Sequence, residues 1–389
     1  MKKYDVIIVG GGASGLACAV ALSKNKNLKI LILEAGERAG KKLAATGNGQ
    51  GNIGNDDLDI SHYRSGNPDL VKSIISGNGE EVFKAIFGAL PLSHAAYGRI
   101  YPAGKQASAL VDILLARLNR SGVGIALKSK VTEINRGFTV LCESGEKYAA
   151  DFVVLATGGK AQKQFGTDGS AYKLAERLGH KITPLYPSIV QLKTDTTHIK
   201  TLKGIRAQCR VLARSEGREK SFTGDIIFTD YGVSGNAIFY VSPLFASRGG
   251  TLEIDFLPDF EASFLIQTLE SRLKEGVQES DLLSGILHNQ IGRSVIRRSS
   301  GNIPSIVKTA KNFTLNVTGT LGFDYAQVTQ GGVEIKQITD KLESKLCKNL
   351  FFTGEILDVD GDCGGYNLYW AFTSALAVAH AILGNYEKA

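Results

Sequence analysis

Residues 4–34 read YDVIIVGGGASGLACAVALSKNKNLKILILE, and the spacing of apolar residues along them predicts the first elements of the fold. Residues 4–9 form a short apolar run that is typical of a buried parallel strand. Apolar residues then recur at helical spacing over 14–24, and a second apolar run at 29–33 predicts another strand. Strand, helix and strand in this order form a βαβ unit, which predicts a parallel sheet with a right-handed crossover.

The turn between the first strand and the helix carries the pattern G-x-G-x-x-G, formed by Gly10, Gly12 and Gly15. We call this turn, residues 10–15, the phosphate cradle. Its glycines permit a tight turn, close approach of the backbone to a pyrophosphate, and close packing of helix on strand, while the helix N-terminus offers N–H donors to an anion. Glu34 follows the second strand, where an acid accepts hydrogen bonds from an adenosine ribose. The stretch therefore predicts a dinucleotide site for FAD or NAD.

Four further segments combine glycines with small polar residues where predicted strands end or a helix begins. Glycine lets the backbone approach phosphates and a ribityl chain, and open α/β sheets bind ligands beyond the carboxyl ends of their strands. Backbone N–H groups ahead of the last helix would face the N1–C2=O edge of a flavin. Together with the cradle, these segments favour FAD over NAD. They are GKKLAATGNGQGN (40–52), ATGG (156–159), FTGE (352–355) and GDCGGYN (361–367).

The composition is typical of a globular protein with more than one domain. The 389 residues suffice for two or three domains, and 43% apolar with 21% charged residues exclude wholesale disorder. No apolar stretch reaches the roughly 18 residues of a membrane span and no secretory signal is recognised, so a cytoplasmic protein without membrane contact is expected. The net charge of +7 suits an anionic ligand without requiring nucleic acid. Five scattered cysteines without C-x-x-C spacing disfavour both disulfides and zinc.

The pattern of the remaining sequence predicts that the chain leaves the parallel sheet, forms an inserted domain and then returns to the sheet. Residues 36–66 form a Gly/Asn-rich stretch with little periodicity, and from about 190 antiparallel strands and then helices replace the parallel pattern. We predict an α/β FAD-binding domain in two parts, 1–190 and 331–389, interrupted by a β-rich and then helical substrate domain at 191–330. The remaining elements are helices at 69–88, 106–119 and 367–383, an antiparallel meander at 124–128, 131–135 and 138–143, and buried strands at 152–156 and 350–353.

In its longer motifs the sequence resembles the bacterial aminoacetone-oxidase-type flavoproteins, a family that also includes bile-acid-type enone reductases. The resemblance covers nearly the whole chain. It implies a non-covalently bound FAD in a glutathione-reductase-like, Rossmann-type domain, with the insert covering the isoalloxazine. The motifs that carry it are VGGGASGL (9–16), GKKLAATGNGQGN (40–52), GRIYP (98–102), LATGG (155–159), GTDGSAY (166–172), GHKITPLYPSIVQL (179–192), GDIIFTDYGVSGNAI (224–238), TQGGV (329–333) and FFTGEILDVDGDCGGYNLYWAF (351–372).

The resemblance also implies which residues contact FAD. Two departures bear on the subfamily and hence on the substrate: Gln50-Gly51 stands where the family usually has Arg-Cys, and Asn236 replaces a usual Pro. The residues at family contact positions are Gly10, Gly12, Gly15, Glu34, Lys42, Thr46, Gly47, Glu355, Gly364, Gly365 and Asn367. Further predicted contacts are Ala13, Ser14, Asn48, Val131, Ala156, Thr157, Gly158 and Gly354.

In a flavoenzyme the cofactor carries the redox step, and the protein supplies orientation and a proton donor. Candidate donors are Tyr366, Tyr369 and Tyr231, with Arg99 as an anchor for a substrate carboxylate. Asp358, Asp360 and Asp362 alternate without the spacing of a calcium loop, so we interpret them as turn and ribityl-side residues and predict no metal. The flavin-side Cys363 is interpreted as a packed side chain, because no second cysteine is placed to resolve it.

The leading hypothesis is an NAD(P)H-linked reductase of an activated C=C bond in an enone, steroid or bile-acid-like small molecule. No second dinucleotide motif is found, so any nicotinamide donor would bind transiently. The alternatives are an aminoacetone-type amine oxidase that produces peroxide, a tRNA-modifying flavoprotein, and a flavin-bound sensor without turnover. Seven basic residues at 200–220 lack interleaved aromatics, so we interpret them as a solvated face and disfavour a nucleic-acid partner. The oligomeric state is left open.

Overall fold

The computed structural model describes residues 1–387. The strands of this part of the chain are β1 (Lys2–Val9), β2 (Ile30–Leu33), β3 (Gly54–Asn55), β4 (Tyr63–Ser65), β5 (Leu92–Ala95), β6 (Arg99–Pro102), β7 (Gly124–Ala126), β8 (Val131–Ile134), β9 (Thr139–Cys142), β10 (Lys147–Leu155), β11 (Tyr186–Ser188), β12 (Leu192–Thr194), β13 (Arg206–Ser215), β14 (Arg218–Phe228), β15 (Gly232–Ser234), β16 (Gly250–Asp255), β17 (Phe313–Thr320), β18 (Val328–Gln330), β19 (Leu350–Phe352) and β20 (Val359–Gly361). The α-helices are α1 (Ala13–Leu22), α2 (Lys41–Ala45), α3 (Pro68–Ile75), α4 (Gly79–Phe87), α5 (Ala107–Arg120), α6 (Tyr172–Arg177), α7 (Asn236–Val241), α8 (Ala262–Lys274), α9 (Asn289–Arg298), α10 (Ile303–Lys311) and α11 (Tyr366–Tyr386).

The chain forms two compact units. The first combines residues 1–186 with the chain from 328 onward, and the second is the continuous segment Pro187–Gln327. Each unit buries a hydrophobic cluster of its own. Within residues 1–387, no helix combines the length and the apolar character that a membrane crossing requires.

The first unit is built on a mixed sheet with a parallel centre. The parallel strands lie in the order β7-β2-β1-β10-β19. The first half of β10 pairs antiparallel with β9, which in turn pairs with β8. The predicted βαβ unit is present, with β1 and β2 parallel in register from Val6 opposite Ile30 to Val9 opposite Leu33. This confirms the prediction of a Rossmann-type α/β fold.

Helix α1 is apolar around its whole circumference because both of its sides are covered. Residues 14–22 are all buried, and the helix packs against α11 on one side and the sheet on the other. The two helices bring the amino-terminal cradle and the carboxyl-terminal glycine loop into one unit, although more than 300 residues separate them along the chain.

Two local predictions were wrong. The segment at 124–128 is not part of the meander, because β7 pairs parallel with β2 at the far edge of the sheet. The helical pattern at 69–88 is two helices, and α4 begins where the side chain of Asn78 accepts a hydrogen bond from the backbone N–H of Glu80. Residues 36–66, where the sequence shows little periodicity, contain α2, β3 and β4.

The second unit contains a closed six-stranded barrel followed by helices. Its strands pair in the order β12-β15-β14-β13-β16-β17, with β12 returning to β17. Along β13 the side chains of Cys209, Val211 and Ala213 are buried, whereas those of Arg210 and Arg214 are exposed. This period of two places one face of the strand in the barrel core and the other in solvent.

Candidate functional site

The three cradle glycines differ in what surrounds them. A Cβ atom built on Gly15 would overlap the carbonyl oxygen of Gly10, and one on Gly10, whose φ is +109°, would lie 2.5 Å from the carbonyl oxygen of Ala156. A Cβ atom on Gly12 would meet no atom within 4 Å. Gly10 and Gly15 are therefore required by packing, whereas Gly12 leaves open space beside the N-terminus of α1, where an anion would bind.

Glu34 is held at the end of β2 by backbone donors. Its Oε2 accepts a hydrogen bond from the N–H of Gly11 at 2.8 Å, and its Oε1 accepts one from the N–H of Gly36 at 2.6 Å. The backbone N–H of Ser129 donates to the carbonyl of Glu34 at 2.8 Å, which brings the chain just before Val131 alongside it. The structure thus brings Glu34 and the start of β8 together at one end of the cradle.

The strand-end segments ATGG and FTGE meet across the sheet. The Lys42 ammonium contacts Oε2 of Glu355 at 2.9 Å, with both side chains about one-fifth exposed. Oε1 of Glu355 accepts from the backbone N–H of Thr329 at 2.9 Å, and a Cβ atom on Gly159 would lie 2.8 Å from the same oxygen. Lys42 and Glu355, which were predicted from separate motifs, therefore form one ion pair beside Gly158 and Gly159 of the ATGG segment.

The residues at this end of the sheet fit a dinucleotide. The hydroxyl oxygen of Thr157, directly after β10, is shielded from solvent and has no hydrogen-bond partner among the described residues. A Cβ atom on Gly354 would lie 2.6 Å from Oγ of Ser14, so the FTGE turn lies directly against the first turn of α1. Thr157 lies against Gly10 of the cradle, where a Cβ atom would be 3.1 Å from the Cα of Thr157. An unpartnered buried hydroxyl at this position is typical of a site for a polar ligand.

Residues Thr46–Gly49 form a short 3₁₀ turn at the surface. Gly47 and Asn48 have left-handed backbone angles, with φ of +58° and +54°. The Thr46 hydroxyl donates to the carbonyl of Leu43 at 2.7 Å, and the backbone N–H of Gln50 donates to the carbonyl of Gly47 at 3.1 Å. This turn presents exposed backbone groups directly after α2, the helix that carries Lys42.

The loop before α11 is closed by its own side chains. The Asn367 amide donates to the carbonyl of Gly361 at 2.8 Å and accepts from the N–H of Gly361 at 2.9 Å. Gly365 has φ of +103°, and a Cβ atom there would overlap the carbonyl oxygen of Gly54. Buried Asn55 donates both to the carbonyl of Gly364 and to that of Tyr97, each at 3.0 Å. Asn367 therefore braces the loop, and Asn55 joins it to the turn before β6.

A buried ionic cluster that sequence reasoning missed lies under this loop. Arg64 donates to Asp360 Oδ2 from Nε and Nη2 at 2.9 and 2.7 Å, and from Nη1 to Asp362 Oδ1 at 2.7 Å. The ring of His62 contacts Asp362 Oδ2 through Nδ1 at 3.3 Å and Asp57 Oδ2 through Nε2 at 3.0 Å. The interpretation of Asp360 as a turn residue was wrong, because it lies in β20, whose antiparallel pairing with β4 places it opposite Arg64.

The two candidate tyrosines of α11, Tyr366 and Tyr369, lie in different surroundings. Tyr369 is 1% exposed, and its hydroxyl donates to the carbonyl of Ile75 at 3.4 Å. Burial raises the pKa of the Tyr369 phenol to about 12, which is the behaviour of a core residue. The ring of Tyr366 stacks on that of His62, with centroids 4.4 Å apart and planes 19° apart. Tyr366 therefore packs against the ionic cluster through His62 and directly follows the glycines of the loop.

Arg99 and Tyr97 lie on the turn that Asn55 joins to Gly364. The Arg99 guanidinium carbon is 5.6 Å from the centroid of the Tyr97 ring. Tyr97 is 53% exposed with φ of +63°, an uncommon backbone conformation for a bulky side chain. The remaining candidate, Tyr231, lies in the second unit beside β15, where its carbonyl accepts from the backbone N–H of Thr194 at 3.1 Å and burial raises the pKa of its phenol.

The basic run at 200–220 is largely paired with carboxylates of the barrel. Arg210 contacts Asp255 at 3.2 Å, and Lys203 contacts Asp230 at 2.8 Å. The other ion pairs are Arg206 with Asp225, Arg214 with Glu219 and Glu253, and Arg218 with Glu216. Such cross-strand pairs neutralise charge that a phosphate backbone would otherwise meet.

Comparison with known proteins gives matches along nearly the whole chain. The model of a family described as "HI0933-like protein Rossmann domain" matches residues 4–381. A 3-dehydro-bile acid delta(4,6)-reductase of Clostridium scindens is 34% identical over 96% of this chain and 98% of its own. A ribosomal RNA dihydrouridine synthase of Haemophilus influenzae is 28% identical over 98% of this chain and 99% of its own.

The fold also matches solved structures. A 3-ketosteroid delta1-dehydrogenase of Sterolibacterium denitrificans, solved with 1,4-androstadiene-3,17-dione, superposes with a TM-score of 0.53 at 12% identity. The match covers 99% of this chain and 100% of that one. At this identity the likeness concerns the fold alone.

Proposed function

The chain belongs to the HI0933-like Rossmann-domain family and is an FAD-dependent oxidoreductase, and on that premise we propose that it reduces a C=C bond conjugated to a carbonyl group, with NAD(P)H as donor. The observation that carries the proposal is the full-length relative at 34% identity whose name specifies a 3-dehydro-bile acid with delta(4,6) unsaturation. The second relative named above also acts on such a bond, since forming dihydrouridine saturates the ring C=C conjugated to a uracil carbonyl.

Each part of the site is proposed to hold a different part of FAD. Glu34 and the start of β8 would hold the adenosine end, and the cradle would bind the pyrophosphate at the N-terminus of α1. Lys42 and Glu355 would hold the middle of the cofactor, and the loop 361–367 would receive the flavin edge. When bound, FAD supplies hydride acceptance and donation at flavin N5.

The proposed substrate contacts lie at the loop end of the first unit. Reduction of an enone places a proton on the α-carbon, and we assign Tyr366 as the donor because its ring lies at the start of α11. Arg99, stacked with the exposed ring of Tyr97, would anchor the carboxylate of an acidic substrate. The donor nicotinamide would bind transiently, as the sequence offers a single dinucleotide motif.

The experiment is a pair of anaerobic half-reactions followed through the flavin absorbance. The protein loaded with FAD is mixed with NADH or NADPH, and the reduced protein is then mixed with a 3-oxo-4,6-diene steroid acid. We expect bleaching in the first step, recovery of colour in the second, and a product that has gained two hydrogens. Rapid peroxide formation in air with no turnover of the dienone would contradict the proposal and favour an amine oxidase.

A second candidate is reduction of uracil in ribosomal RNA, which the Haemophilus influenzae relative favours. The pairing of most basic side chains at 200–220 with carboxylates disfavours this candidate. Incubation of the reduced protein with unmodified ribosomal RNA, followed by mass spectrometry of its nucleosides, separates the two functions. Dihydrouridine formed at a rate above that of dienone reduction would make RNA the substrate.

A further inference from the structure

His62 lies between two carboxylates and against an aromatic ring. Its Nδ1 is 3.3 Å from Asp362 Oδ2, its Nε2 is 3.0 Å from Asp57 Oδ2, and its ring stacks on Tyr366. The side chain of Asp362 is 1% exposed, whereas that of Asp57 is 64% exposed. The imidazole is thus held at both nitrogens, one partner belonging to the buried ionic cluster and the other facing solvent.

This geometry determines the protonation state of the ring. An ionised carboxylate only accepts hydrogen bonds, and a neutral imidazole carries a proton on only one of its nitrogens. A neutral His62 would therefore point a lone pair at one of the two aspartates, while the imidazolium donates to both. The hydrogen bond to Asp362 raises the pKa of His62, and the hydrogen bond to Asp57 adds to that rise while burial opposes it.

The other charged groups facing His62 come from the neighbouring elements. Asp59, on the same turn, acts on the ring electrostatically, and Arg64 on β4 binds the second oxygen of Asp362. Arg64 also donates to the carbonyl of Gly361 at 3.1 Å, and the backbone N–H of Asp362 donates to the carbonyl of His62 at 2.8 Å. Residues 62–64 are therefore hydrogen-bonded to residues 360–362, immediately before the glycines that lead into α11.

We propose that His62, in its protonated form, is a positioning residue that fixes the Tyr366 ring and the loop 361–367 for the flavin end of the cofactor. This proposal rests on the proposed function, which assigns that loop to the flavin. The cation stacked beneath Tyr366 holds the phenol in one orientation, and the bond to Asp362 holds the loop. When His62 is neutral, its lone pair faces one of the two carboxylates, and the ring no longer forms an ion pair with Asp362 on the loop.

The direction of the pH dependence follows from the raised pKa. The stabilisation that His62 adds to the fold is fully present below its pKa in the unfolded chain, about 6.5. It is lost as the pH rises through the higher pKa of the folded state. FAD affinity is expected to fall over the same pH range.

The experiment compares the wild type with His62→Gln and with a matched control, His94→Gln. His94 also contacts an aspartate, Asp56, at 2.8 Å, but its side chain is 52% exposed. Ring ¹⁵N NMR of the FAD-free protein measures protonation, with His62→Gln assigning the signal, and FAD titrations across a pH series measure binding. We expect both His62 nitrogens to be protonated at neutral pH and His62→Gln to weaken FAD binding about tenfold.

The control variant should bind FAD as the wild type does, and the difference between wild type and His62→Gln should vanish at alkaline pH. A neutral His62 signal at neutral pH overturns the proposal. So does a His62→Gln variant with the affinity and pH profile of the wild type. If that variant does not fold, Asp57→Asn removes only the negative charge of the exposed partner. This should move the loss of FAD affinity to lower pH, and an unchanged profile overturns the proposal.

Failure of the proposed function has a different signature. In that case the FAD-loaded wild type is not reduced by NAD(P)H or does not reduce the dienone, whereas the NMR and FAD-binding results for His62 stand. The two ideas are therefore tested by separate measurements on the same protein.

Discussion

Gly12 and Gly15 belong to one motif, but their surroundings in the structure differ. A Cβ atom on Gly12 would meet open space, whereas one on Gly15 would overlap the carbonyl of Gly10. We expect Gly12→Ala to leave the stability of the FAD-free protein within about 0.5 kcal/mol of the wild type while weakening FAD binding at least tenfold. Gly15→Ala should destabilise the FAD-free protein by about 1–3 kcal/mol through overpacking.

Denaturant unfolding of the two FAD-free variants, followed by FAD titration of each, measures both effects. Equal destabilisation by the two substitutions would show that the space at Gly12 is not a ligand site.

At the residue scale the sequence predicts the glycine pattern and Glu34, because each position follows from a local turn. The ionic cluster of His62, Arg64 and Asp362 could not be predicted, since it depends on which distant strand pairs with β4.

At the scale of elements, α11 holds the FTGE turn through one serine and one tryptophan. Oγ of Ser374 accepts from the backbone N–H of Gly354 at 3.0 Å, and Nε1 of Trp370 donates to the carbonyl of Gly354 at 3.2 Å. Ser374→Ala would leave a buried N–H without its partner, so we expect a loss of about 1–3 kcal/mol of stability. Trp370 is the sole tryptophan of the sequence, and its fluorescence should shift to longer wavelength in this variant.

The matched control is Ser73→Ala. The Ser73 hydroxyl donates to the carbonyl of Leu70 within α3 at 2.8 Å, a local bond whose loss should change stability by less than about 0.5 kcal/mol. Wild-type stability and emission in Ser374→Ala would show that α11 does not restrain the turn.

The elements that the sequence predicts well are those whose signal is local. The strands at 4–9, 29–33 and 350–353 were found because buried parallel strands are continuous apolar runs. The partner of β7 was missed because Gly124–Ala126 is short and its pairing with β2 is formed only after the crossover through α5. Residues 36–66 show little periodicity because β3 and β4 are only two and three residues long, and their hydrogen bonds go to β6 and β20.

At the scale of the whole molecule, the second unit has the features of a domain that folds alone. Its barrel pairs β12 with β17, which leaves none of its six strands with a free edge, and it buries its own apolar cluster. Its ends are close together, since the backbone N–H of Gln327 donates to the carbonyl of Ile189 at 3.0 Å. The two ends of the first unit that flank the insert are also close together, because the N–H of Thr183 donates to the carbonyl of Gly332 at 2.8 Å.

We therefore expect residues 187–327, produced alone, to unfold cooperatively in denaturant with a strand-rich circular dichroism spectrum. We also expect a first unit with residue 186 joined to residue 328 by a short Gly/Ser linker to fold and bind FAD, because every predicted FAD contact lies within it. The same joined chain carrying Gly12→Ala is the control, and it should fold without retaining the cofactor. A joined chain that folds yet binds no FAD would mean that the barrel unit supplies an essential contact, and the assignment of the cofactor to the first unit would then fail.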